Sequence, residues 1–184
     1  MARRTSQIAS AAPGVALLVD ADTGGGGILN MQRTVRSLIR SGAKGVVIED
    51  QVWPKRPGHM YNLEVTGMDE FAAKVAAARD EISNDDFFLV ARTDARATSA
   101  KRGLDDAIAR ANLYLSAGAD AAFIEAPRSR AEMEAICERV RGMVCVFWVL
   151  STPLKPSVQA PDCQAWLGPT HLHPPTLHRR RSRA

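Results

Sequence analysis

The chain has 184 residues, 46% of them apolar and 24% charged, which suits a single globular domain with a full core and excludes a disordered or fibrous composition. No run approaches the ~20 apolar residues of a membrane span, so no membrane partner is expected. The net charge of +4 is matched by four arginines in the terminal "HRRRSRA". A basic terminal run without interleaved aromatics reads as a solvated tail, and no nucleic acid is expected as a partner.

The opening "MARRTSQIASAAPG" lacks the apolar core of a secretory signal. A cytoplasmic location is expected, with a short mitochondrial presequence as the alternative. Cys137, Cys145 and Cys163 have no metal-like spacing, which suggests a reducing compartment without a disulfide framework.

From residue 15 onward, short apolar runs alternate with helical stretches. "VALLVDAD" predicts a strand. "ILNMQRTVRSLIRSGA" follows, with Ile28, Met31, Val35 and Leu38 at helical spacing. "GVVIED" predicts the second strand, and after a basic loop a helix near 69–83 carries Phe71, Val75 and Ile82. "FFLVARTDA" precedes a helix with Leu104, Ile108, Ala111 and Leu115 on one stripe. "AAFIEAP" precedes another with Met133, Ile136, Cys137 and Val140, and "MVCVFWVL" reads as a further strand. Alternating strands and helices predict βαβ units on a parallel sheet, and strands that are apolar throughout predict cover on both faces. Each of the first four strands ends in polar groups: Asp20 and Asp22, Glu49 and Asp50, Arg92 and Asp94, Glu125. A (β/α) barrel gathers such groups at its C-terminal edge, whereas an open sheet does so only at its switch point. The expected fold is therefore α/β, a partial TIM-type barrel of about five parallel βα units over 1–147. Residues 148–184 are expected to be an irregular Pro/His/Arg-rich tail, in which His171 and His173 reflect composition.

The chemistry concentrates at those strand ends. Asp20 and Asp22, two apart, point the same way in an extended chain, and paired carboxylates suit Mg²⁺. The alternative has Asp20 solvated and Asp22 capping the next helix. Four glycines follow, providing close backbone approach or a turn, and no Walker motif is present. Glu49 offers a third carboxylate from the next strand. Arg92 supplies a fork for a substrate carboxylate, or a structural ion pair with Glu49 or Glu125. Such a set suits an enolate of an α-keto acid.

"DADTGGGG", "IEDQVWPKRPGHM", "ARTDA" and "GADAAFIEAP" occur in the same order as in the isocitrate lyase/phosphoenolpyruvate phosphomutase superfamily, which residues 1 to 145 resemble. The likeness is greatest to its methylisocitrate lyase and carboxyphosphonoenolpyruvate mutase branches. The resemblance implies a TIM-type barrel, Mg²⁺ (with Mn²⁺ as substitute) and a small 2-hydroxy or 2-keto di- or tricarboxylate as partner. It implies carbon–carbon lyase activity through an enolate, with oxaloacetate decarboxylation or mutase chemistry as the alternative. By position, Asp20, Asp22 and Glu49 match the metal site. Lys55, Arg56 and His59 match catalytic residues of a lid over the substrate, and Gly58, Arg92 and Glu125 match substrate-binding groups. Homo-oligomers are expected for the family.

Two departures stand out. The lyases' lid reads Lys-Arg-Cys-Gly-His, its Cys being the general acid; here that position is Pro57, which has no ionisable proton. The family's first two βα units and its later ones find no match here, and an incomplete closure exposes sheet edges. Impaired catalysis is the corresponding expectation.

Overall fold

The computed structural model describes residues 1–55, 63–83, 86–98 and 101–147. The expected tail and four of the lid positions, Arg56, Pro57, Gly58 and His59, lie outside them. Five strands, β1 (Leu18–Asp20), β2 (Gly45–Glu49), β3 (Phe88–Thr93), β4 (Ala121–Glu125) and β5 (Met143–Phe147), form one sheet. They are all parallel and lie side by side in chain order. A doubly wound sheet reverses its order at a switch point; this one does not, and the sequential order is that of a (β/α) barrel.

Helices α1 (Ala2–Ala11), α2 (Ile28–Arg40), α3 (Met68–Ile82), α4 (Ala95–Thr98), α5 (Gly103–Ser116) and α6 (Arg130–Arg139) connect the strands. The boundary of α6 is encoded locally. Ser129 accepts a hydrogen bond from the Glu132 amide at 3.2 Å, and the Glu132 carboxylate in turn holds the Arg128 amide and the Arg96 guanidinium.

Side chains alternate across a strand, so each strand divides between two faces. Val46 and Ile48 of β2, Leu89 and Ala91 of β3, and Ala122 and Ile124 of β4 are buried toward the helices. The first two pairs pack with Met31, Val35 and Leu38 of α2 and with Phe71, Val75 and Ile82 of α3. The third meets Ala107, Ile108 and Ala111 of α5 and Ile136 of α6. Phe71 and Tyr114 meet edge to face, 4.8 Å between centroids, which ties α3 to α5. The opposite face carries Val47 and Glu49, Val90 and Arg92, Phe123 and Glu125.

Two expectations are corrected. The first strand spans Leu18–Asp20 rather than 15–22, because β2 is its one neighbour among the described residues; Val15 and Leu18 are exposed. Ile28 is also exposed, since it opens α2 before the helix reaches the core, and the buried stripe begins at Met31. Among the described residues Cys145 is a free thiol.

Truncating Ile48 to Ala leaves a cavity against both α2 and α3 and should cost about 2–5 kcal/mol. Ile28→Ala should change stability by less than about 0.5 kcal/mol. Urea unfolding of the two variants checks the assignment of faces.

Candidate active site

The site is built at the C-terminal edge of the sheet by register. Glu49 pairs with Arg92 and Arg92 with Phe123 across three adjacent strands. Two residues beyond β1, the chain runs level with Glu49, whose amide donates to the Asp22 carbonyl at 2.9 Å. Glu125 and Asp94 each lie two residues past that row, on the same face as Phe123 and Arg92.

Arg92 is the centre of this row. Its guanidinium donates to both oxygens of Asp94, at 3.2 and 2.9 Å. It lies 3.5 Å from Glu49 Oε2 and 3.5 Å from Glu125 Oε2, over the Phe123 ring at 5.3 Å from its centroid. The ion-pair reading of Arg92 is thus observed, with both Glu49 and Glu125. Asp94, named in the sequence only as a polar group at the strand end, was given no role there. Its signal was the Arg-x-Asp spacing, which on a strand places both side chains on one face.

On the other side, the Lys55 ammonium bonds the Asp22 carboxylate and lies 3.2 Å from Glu49 Oε1. Glu49 is fully buried, and neither of its oxygens meets a well-aligned hydrogen-bond donor among the described residues. Burial, reinforced by the charge of Asp94, pushes the Glu49 carboxyl up, against the pull of Arg92 and Lys55. Burial likewise pushes Glu125 up, with Arg92 opposing. Burial alone would lower Arg92, yet the hydrogen bonds and charge of Asp94, with Glu125 and Glu49, hold it above its usual range.

Asp20 does not join this group. The strand ends at Asp20, and Asp22 takes a left-handed conformation with φ of 53°. The extended-chain argument that aligned the two carboxylates therefore does not apply. Asp20 Oδ1 instead accepts the Asp22 amide at 2.9 Å, bracing that conformation. Nor does Asp22 cap α2, whose N-cap is Gly27. The glycines form the turn: Gly24, at φ of 76°, lies so close under Met31 that a Cβ would come within 2.3 Å of the methionine's Cε.

The donor set fits a cation. Four carboxylates, Asp22, Glu49, Asp94 and Glu125, face two basic groups, Lys55 and Arg92, which leaves a surplus of negative charge. No three His, Cys, Asp or Glu side chains come together as a closed metal cage among the described residues. Mg²⁺ does not require one, since it binds through one or two carboxylates and keeps several waters. Asp22 and Glu49, already sharing the Lys55 ammonium, supply that number.

The family profile of phosphoenolpyruvate phosphomutase matches residues 1–163. The chain belongs to this family. It is 56% identical over 142 residues to the chloroplastic carboxyvinyl-carboxyphosphonate phosphorylmutase of Arabidopsis thaliana, covering 77% of this chain and 42% of that protein. It is 44% identical over 142 residues to 2,3-dimethylmalate lyase of Eubacterium barkeri, covering 77% of this chain and 48% of that protein. Among solved structures, phosphonopyruvate hydrolase in complex with oxalate and Mg²⁺ superposes with a TM-score of 0.68 at 31% identity, over 80% of this chain and 50% of that one. The chain thus spans about half the length of the relatives it matches. Its family is one of lyases and mutases on a TIM-type barrel. No helix among the described residues is long and apolar enough to cross a membrane.

Replacing Arg92 by Met strands three carboxylates around a neutral side chain and should cost about 3 kcal/mol. Arg92→Lys keeps the charge, loses the fork and should cost clearly less. Chemical denaturation at neutral pH tests the order of the two.

Proposed function

We propose that residues 1–147 carry Mg²⁺-dependent carbon–carbon lyase chemistry on a small 2-hydroxy or 2-keto di- or tricarboxylate. The carrying observation is the opposition of two half-sites across one strand register: Asp22, Glu49 and Lys55 on one side, Arg92 and Glu125 on the other. Asp22 and Glu49 would hold Mg²⁺, or Mn²⁺ in its place, with Asp20 fixing the Asp22 backbone beside them. A cation there supplies Lewis-acid polarisation of the substrate's keto or hydroxyl oxygen.

The chain's own groups divide the remaining work. Arg92, pre-set by Asp94, offers its guanidinium to the substrate carboxylate, and Glu125 accepts from a substrate hydroxyl. In a 2-hydroxy acid the hydroxyl gives up its proton to a base as its carbon becomes a carbonyl. The scissile carbon–carbon bond leaves its electron pair on the departing carboxylate-bearing fragment as an enolate, which must take up a proton. Lys55 brings positive charge to the site, and in this reading Arg56, Gly58 and His59 close over the substrate. With Pro57 in the lyases' cysteine position, His59 or a water is left to deliver the proton. The chemistry requires neither nucleic acid nor membrane.

A second reading has specific support. Pro57 removes the acid that carbanion release needs, and the 56% identity is to a protein named as a phosphorylmutase. Phosphorus–carbon rearrangement, or decarboxylation of oxaloacetate, dispenses with a thiol acid.

Offering 2-methylisocitrate, isocitrate, oxaloacetate and carboxyphosphonoenolpyruvate separately with Mg²⁺, and following each by NMR, decides between these readings. Turnover that disappears in Asp22→Ala is expected; none with any substrate, from protein shown to be folded, refutes the assignment. Mg²⁺ at about 100 times its dissociation constant should stabilise the wild type by about 2.7 kcal/mol and Asp22→Ala by little, read as a shift in Tm. If the lyase reading holds, Pro57→Cys should raise lyase turnover by about 10²–10⁴-fold. A mutase or decarboxylase should not respond to it.

A further inference from the structure

Behind the site, on the helix-facing side of the sheet, lies a second carboxylate that the chemistry above does not use. Asp50 follows Glu49 directly and therefore points to the opposite face. It is completely buried, and four donors converge on it. Oδ2 accepts from the Thr93 hydroxyl at 2.8 Å, the Tyr114 hydroxyl at 2.8 Å and Arg110 Nη1 at 3.1 Å. Oδ1 accepts from the Asp94 amide at 3.0 Å. The main chain of Asp50 adds two more links: its amide donates to the Arg92 carbonyl at 3.2 Å and its carbonyl accepts from the Thr66 amide at 2.8 Å. Arg110 bonds the Thr66 carbonyl at 2.8 Å as well.

A buried ion pair of this kind is a poor device for stability, since apolar side chains of similar size often do as well or better. Its geometry indicates a different use. Asp50 grips the carbonyl of Arg92, the hydroxyl of Thr93 and the amide of Asp94, three successive residues at the end of β3. Those residues carry the guanidinium of the site and the carboxylate that forks it. We propose that Asp50 is a positioning residue which, with Arg110 and Tyr114 of α5, clamps the Arg92–Asp94 segment and so aims the Arg92 guanidinium at the substrate carboxylate. The proposal rests on the reading of Arg92 as the carboxylate anchor. The clamp reaches the site through backbone and through Asp94, and touches no substrate.

The test uses the full chain labelled with ¹⁵N. The Arg92 Nε–Hε resonance, identified by its loss in Arg92→Lys, reports whether the guanidinium stays locked on Asp94. Tyr114→Phe and Thr93→Val each remove one donor to Asp50 and keep the side chain's shape. Both should speed solvent exchange of that proton by at least about fivefold, the scale of one lost hydrogen bond. Ile136→Val, a small core truncation remote from the clamp, should leave it unchanged. Equal exchange in Tyr114→Phe, Thr93→Val and Ile136→Val would overturn the proposal and leave the network a stabilising one. Asp50→Asn should give the largest effect, and if it does not fold the other two variants carry the test. This readout needs no substrate, so the clamp and the enzymatic reading fail separately. Where the wild type turns over, Tyr114→Phe should raise KM at little-changed kcat, and a fall in kcat alone counts against the clamp.

Discussion

β2 ends at Glu49 and Asp50 follows directly, and their partners place the two carboxylates on opposite faces of the sheet. Glu49 enters the site and Asp50 enters the layer between sheet and helices, both with almost no exposure. Neither is affordable alone, because an uncompensated buried carboxylate would rather be neutral. Each therefore recruits its own partners. Glu49 draws Lys55 and Arg92; Asp50 draws Arg110, Tyr114, Thr93 and the Asp94 amide. The two sets meet at the end of β3, so the front of the sheet cannot rearrange without disturbing the back.

The electrostatic balance differs sharply between the faces. At the back, the Asp50 carboxylate has its full set of hydrogen bonds and a guanidinium beside it. At the front, four carboxylates crowd two cationic side chains, and the oxygens of Glu49 have only loosely placed partners. The back face is thus closed by hydrogen bonds, and the front face is not. The position of Lys55 between Asp22 and Glu49 shows where positive charge is most favourable.

How much of this was legible in the sequence depended on the range of the interaction. The parallel units follow from local periodicity, the preference for a barrel rests on the polar strand ends, and β2, β3 and β4 appear where apolar runs placed them. Arg92, Glu49 and Glu125 come together because their strand ends lie side by side in the sheet. Asp50 was visible only as one of two acids in "IED". Its purpose depends on Arg110 and Tyr114, some sixty residues further along the chain, and no spacing rule reports that pairing. The end of β1 failed for the opposite reason. The alternation rule was applied past Asp20, where the strand had already stopped.

That failure is itself informative about the turn. A non-glycine residue held at positive φ is uncommon and costs free energy that surrounding contacts must offset. Asp22 is held there from both ends: the Asp20 carboxylate takes its amide, and the Glu49 amide takes its carbonyl. Beyond it, Gly24 is wedged beneath Met31, so the turn cannot relax outward without unpacking α2 from the core. Thr34 and Asn30 of α2 donate to the carbonyls of Gly24 and Gly25 and so tie the turn to the helix. The sheet, through the Glu49 amide, and the Asp20 carboxylate thus both fix the backbone of Asp22.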